Sequence, residues 1–173
     1  MKAKPIHLTQ EQLMELFDYN PLTGVLTWKV HRSNRAPKGS CVGWVHTTGH
    51  LRTKIDGISY FVHRIIWKML YDEEPEEIDH DDCNKLNNAQ YNLRACDSSQ
   101  NAHNRFKYSN NSSGVKGLTH NKSKTSNNWL AQIRLNGKNY YRYFPFDDEG
   151  KDKATQWLTE MRAILHGEFS NNG

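Results

Sequence analysis

Asp79-His80, Asn84-Lys-Leu-Asn-Asn88, Tyr91-Asn-Leu-Arg94 and Gln100-Asn-Ala-His-Asn104 are the four pieces of sequence whose reading decides the fold. Asp79-His80 closes a short extended segment entered through Pro75 and Ile78. The Asn-rich run behind it has turn composition, because Asn side chains bond their own backbone and tolerate left-handed conformations. Asn92-Leu-Arg94 resumes an extended segment, and a helix is predicted from about Asp97 to Arg105. An extended segment, a polar loop, a second extended segment and a helix therefore follow one another within about thirty residues.

Upstream, Thr9 and Gln12 have capping-box spacing, and Thr9–Phe17 reads as a short helix with Leu13, Leu16 and Phe17 on one face. Asn20-Pro-Leu-Thr-Gly24 is a turn, with strands predicted at Val25–Trp28, Trp44–Thr47, Leu51–Ile55 and Ile58–Val62. Asp56-Gly57 is a hairpin turn, and His63–Tyr71 has the apolar stripe of a helix. Downstream, Lys107–Ser113 has linker composition. Strands are predicted at Gly114–His120, Trp129–Leu135 and Lys138–Phe146, the last two joined by Asn136-Gly137, and a helix follows from Asp147 to about His166. The fold class expected is α+β. A ββα module preceded by antiparallel strands would occupy residues 1–108, and a three-stranded antiparallel sheet with one packed helix residues 112–168, with the boundary near residue 110.

The chain has 173 residues, 36% of them hydrophobic, which suits two small modules better than one large core. No apolar run reaches the roughly 20 residues of a membrane helix, and the Met1–His7 segment has no signal-peptide core. A cytoplasmic protein, in the host cell if phage-encoded, is the expectation. Three cysteines, without a C-x-x-C pair, argue for reduced thiols rather than disulfides or a zinc ribbon. The net charge of +4 is unevenly spread. No acid lies between Asp18 and Asp56, where Arg52 and Lys54 fall, or between Asp97 and Asp147, where Lys116, Lys124, Arg134, Lys138 and Arg142 fall. Between these basic stretches sits an acidic knot, residues 72–82. Two phosphate-attracting surfaces around carboxylates suit a polyanion partner and a bound cation.

A lone Asp-His pair is ordinarily solvated surface. Its context here supplies what phosphodiester hydrolysis needs: an imidazole near neutral pKa as base for water, and hard oxygen donors for a cation. Asp and Asn oxygens favour Mg²⁺, with Mn²⁺ as a substitute, over zinc. Neighbouring strand residues point to opposite sides, so joint action of Asp79 and His80 at one point would require a bend. In combination, the four quoted pieces resemble the HNH signature of phage and intron homing endonucleases. Phe17–Trp28 and Val62-His-Arg-Ile-Ile-Trp67 resemble that family's upstream segment, so the likeness spans about residues 9–105. It implies a two-stranded hairpin packed on a helix around one metal ion. His80 would be the general base, Asp79 a metal ligand, Asn92 the brace that fixes the base, and Asn101 the third motif position, where histidine is common. His103 is the rival ligand. Asn84, Asn87 and Asn88 are read as loop-shaping, and His63 as a structural residue.

Ser113-Gly-Val-Lys-Gly-Leu-Thr119, Trp129–Arg134, Tyr143-Phe144 and the Ala154–Gly167 helix are similar to the plant ethylene-response-factor (Apetala-type) DNA-binding domain. The likeness implies a sheet lying in the major groove, with Lys116, Gln132, Arg134, Lys138 and Tyr140 facing DNA. Independently, Gln and Arg can read base edges while Lys and Tyr reach phosphates. The combined expectation is a site-specific endonuclease acting on double-stranded DNA, with a monomer favoured although nothing in the sequence fixes the oligomeric state. A non-catalytic DNA-binding regulator with a degenerate module is the alternative, and Asn101 in place of histidine is the feature that favours it. A general nuclease is disfavoured by the appended reader.

Overall fold

The computed structural model describes residues 4–123 and 125–173; Lys124 of the second basic stretch and Met1–Ala3 lie outside the described residues. The chain divides into two compact units, Met1–Asp97 and Ser98–Gly173. The division precedes the expected one because the 103–105 segment is tied into the second unit. Lys116 Nζ donates to the carbonyls of His103 and Arg105, and Asn171 Nδ2 to that of Asn104.

In the first unit, Thr9 caps α1 (Gln10–Leu16) through the capping box: Gln12 N–H donates to Thr9 Oγ1, and Thr9 N–H to Gln12 Oε1. The helix stops one residue short of Phe17, which instead opens β1 (Phe17–Asn20), antiparallel to β2 (Val25–Trp28). Phe17 and Trp28 pair across this hairpin with ring centroids 4.7 Å apart, a non-local contact that overrides the helical spacing. A second sheet runs β3 (Trp44–Val45), β4 (Leu51–Ile55), β5 (Ile58–Phe61), turning at Asp56-Gly57, where both residues have positive φ. From β5 the chain passes directly into α2 (Val62–Tyr71), whose Val62, Ile65, Ile66 and Met69 enter the core beside Leu13, Phe17, Leu26 and Trp28. Two further strands, β6 (Glu77–His80) and β7 (Leu93–Cys96), pair antiparallel, with Ile78 and Leu93 in the same core.

The second unit begins with α3 (Ser98–His103). Its sheet has the order β10 (Lys138–Pro145), β9 (Asn127–Leu135), β8 (Leu118–Lys122), and α4 (Asp148–His166) packs on one side through Ala154 and Leu158. β8 starts later than expected because the side chains of Asn111 and Ser113 take the Val115 and Leu118 carbonyls into a loop. Among the described residues no helix is long and apolar enough to cross a membrane.

Candidate active site

The β6–β7 register sets Asp79 opposite Arg94 and His80 opposite Leu93. No bend brings Asp79 and His80 to one side, because the ladder runs unbroken through His80 and adjacent residues keep opposite faces. Both side chains are nonetheless buried. Arg94 Nε and Nη2 donate to Asp79 Oδ2 at 3.0 and 2.8 Å, while Nη1 pairs with Asp81 Oδ1 at 2.7 Å. One guanidinium therefore bridges two carboxylates.

His80 faces inward. Its Nε2 lies 3.0 Å from Oδ1 of Asn88, which is 1% exposed. With the amide oxygen as acceptor, Nε2 carries the proton and Nδ1 the lone pair. Burial pushes the His80 imidazole below the ordinary 6.5, while the Asn88 bond and the charges of Asp79 and Asp82 push it back up in part. A neutral ring able to accept a proton results. His50, at the end of the loop before β4, and His63 of α2 stand beside it, at centroid separations of 5.7 and 5.3 Å. Burial lowers His50 to about 4 and His63 well below 6.5. Phe61 stacks on His63, and the Arg52 guanidinium lies over the Phe61 ring, 4.8 Å from its centroid. Arg52 is thus linked through Phe61 to the histidine cluster, and Lys54 shares the Arg52 face of β4.

Asn92 bridges the loop between the two strands. Its Oδ1 accepts from Asp82 N–H (3.0 Å), and its Nδ2 donates to Asp82 Oδ1 (2.9 Å) and the Asn87 carbonyl (2.7 Å). The residue that touches His80 directly is Asn88, which loop composition marked only as a turn former. No local signal distinguishes Asn88 from Asn84 and Asn87. Asn101 lies on α3, in the second unit. His103 stacks face to face on His166 at 3.7 Å, so its ring serves the packing of that unit.

The side-chain oxygens of Asp79 and Asp81 are hard donors, of the kind that divalent cations such as Mg²⁺ take. Among the described residues no group of three His, Cys, Asp or Glu side chains forms a ready-made metal cage. No disulfide joins Cys41, Cys83 or Cys96, and burial pushes the Cys96 thiol up to about 12, where it is protonated and a poor ligand.

In the second unit, Gln132 and Arg134 lie on the exposed face of β9, as alternation requires. The hairpin register pairs Leu135 with Lys138, Ile133 with Tyr140 and Ala131 with Arg142. Lys138 and Tyr140 therefore share the helix-side face, opposite Gln132 and Arg134, and the expected single surface is corrected. Tyr141 stands across from Gln132 and Asn139 across from Arg134, so these, with exposed Tyr143, are what the open face carries. Lys116 is also corrected: its ammonium is occupied by the carbonyls of His103, Arg105 and Asn171.

Residues 60–103 match the HNH endonuclease family. They contain β6, β7, α2 and α3, and thus the whole His80–Asn88–Asn92 arrangement. Protein 3.8 of Escherichia phage T7 is 32% identical over 93 residues, spanning 54% of this chain and 72% of that protein. The chain belongs to the Protein 3.8 family. Within this Protein 3.8 family member the HNH-type module is a part, and the 76 residues of the second unit, Ser98–Gly173, lie largely beyond the HNH match. No solved structure matches the chain.

Proposed function

We propose that the chain is a metal-dependent endonuclease that hydrolyses phosphodiester bonds in double-stranded DNA. The observation that carries this reading is the setting of His80: a buried imidazole whose Nε2 hydrogen is donated to Asn88 Oδ1, leaving Nδ1 as the basic nitrogen, within the segment that matches the HNH endonuclease family. Nδ1 takes a proton from water as the oxygen attacks phosphorus. In-line displacement places the entering and leaving oxygens on opposite sides of phosphorus. His80 would serve the entering side and Asp79 the leaving side, which requires the end of β6 to bend when DNA binds, since the two side chains keep opposite faces here. Asp79 would hold the divalent cation, joined by Asn101 on the strength of its motif position. A cation there would supply positive charge for the phosphoryl oxygens and the departing 3′ oxygen. Arg94 must yield Asp79 Oδ2 for this, and Asp81, already in contact, offers it a second carboxylate.

The exposed face of the C-terminal sheet, with Gln132, Arg134, Asn139, Tyr141 and Tyr143, would lie against the duplex in the manner of an ethylene-response-factor-like reader. Arg52 and Lys54 would contact phosphates beside the active site. A second reading, a DNA-binding regulator without catalysis, is favoured by one observation: the two-point Arg94–Asp79 ion pair occupies the carboxylate meant for the metal. Incubating the full chain with plasmid DNA and Mg²⁺ separates them, since only the nuclease produces nicked or linear DNA that chelator prevents.

A further inference from the structure

We infer that the N-terminal hairpin β1–β2, although outside the HNH match, is part of the catalytic apparatus: through Tyr19, Pro21 and Gly24 it holds Asn88 against His80 and so sets which imidazole nitrogen acts as the base. The inference rests on the reading of His80 as general base.

A neutral imidazole has two tautomers, and only the nitrogen without the proton can accept one. The Nε2–Asn88 contact selects between them only if the Asn88 carboxamide presents its oxygen. Its amide nitrogen lies 3.5 Å from the Leu86 carbonyl oxygen, which would repel Oδ1 in the flipped orientation. The hairpin braces the backbone that carries Asn88 at three points. Tyr19 Oη donates to the Asn88 carbonyl at 2.9 Å, and burial, with Tyr71 nearby, pushes that phenol up to about 12, so it stays a donor throughout the working range. Gln90 N–H donates to the Pro21 carbonyl at 2.9 Å.

The third point is Gly24. It has φ +72°, and a Cβ there would lie 2.3 Å from Ala89 N and 2.4 Å from Asn88 C. The two backbones touch with no room for a side chain. Asn20 shapes the turn that brings Gly24 there, its Oδ1 accepting from Leu22 and Thr23 N–H. The Asn20-Pro-Leu-Thr-Gly24 sequence is therefore explained as a backbone clamp on Asn88, sixty-odd residues away in the chain. Tyr19, Gly24 and Asn88 are positioning residues on this account.

The test uses the full chain labelled with ¹⁵N-histidine, observed at pH 8, where His80 is neutral, beside cleavage kinetics on duplex DNA with Mg²⁺. Wild type should show His80 as a single Nε2–H tautomer. Tyr19→Phe and Gly24→Ala should move His80 toward a tautomer mixture and lower kcat by about tenfold or more, with KM for DNA unchanged. Asn88→Ala should do the same more strongly. Asn88→Asp, which keeps an oxygen acceptor, should restore the Nε2–H form. If Gly24→Ala fails to fold, Tyr19→Phe removes a single hydroxyl and carries the test. Unchanged His80 ring resonances in Tyr19→Phe and Asn88→Ala would overturn the inference. An inactive wild type with the tautomer shifts intact would instead refute the nuclease reading and leave the clamp standing.

Discussion

His80 carries two opposed influences, burial that lowers its pKa and the Asn88 bond that raises it, and burial prevails. A base must be deprotonated to act, so kcat/KM should rise with pH through a pKa below 6.5 and level off above it. A pH–rate profile whose acid limb lay above 6.5 would contradict this. His80→Ala should lose roughly 10²-fold or more in cleavage while leaving DNA affinity near wild type. Asp79→Ala should be inactive with Mg²⁺ and with Mn²⁺. At the third motif position, Asn101→Ala should lose cleavage and His103→Ala keep it, since the His103 ring is already stacked on His166. The reverse pattern would reassign the ligand.

At the scale of elements, the histidines of the loop before β4, of α2 and of β6 meet one another, with Phe61 against the first two. Each is held neutral by burial, His50 down to about 4. The unfolded chain has ordinary histidines near 6.5, so it binds more protons than the fold at acid pH. Stability is therefore full above about 6.5 and falls as pH drops from there toward 4. Melting temperature should decline over that window, and His63→Phe should flatten the decline; a pH-independent melting temperature would contradict the burial of this cluster. Local chemistry made several elements legible in advance: the Thr9 cap, Val25–Trp28, Leu51–Ile55 and the two hairpin turns need only their own residues. β1 was illegible because Phe17 fits a helical face, and only its Trp28 partner decides otherwise. The faces of Lys138 and Tyr140 were within reach, since a two-residue turn pairs Leu135 with Lys138, but alternation counted strand by strand does not join the faces. Asn88, Arg94, His50 and His63 meet the motif residues only through the returning chain, which no spacing rule foretells.

At the scale of the whole molecule, the two units are expected to separate experimentally. A fragment 98–173, cut where the contacts divide, should bind duplex DNA without cutting it, with affinity that falls as salt rises. Within it, Arg134→Ala should cost about 1–3 kcal/mol and relax one base position if Arg134 reads a base edge. Lys138→Ala, on the helix-side face, should matter less than Arg134→Ala or Tyr141→Ala. A folded fragment without salt-dependent DNA affinity would remove the reader and leave the nuclease. The nuclease itself is tested most directly by incubating the full chain with long duplex DNA and Mg²⁺, alongside His80→Ala, and mapping the ends formed. The account predicts discrete ends with 3′-hydroxyl and 5′-phosphate groups, abolished by chelator and by His80→Ala. Intact DNA after binding, or cleavage that His80→Ala leaves unchanged, would contradict it.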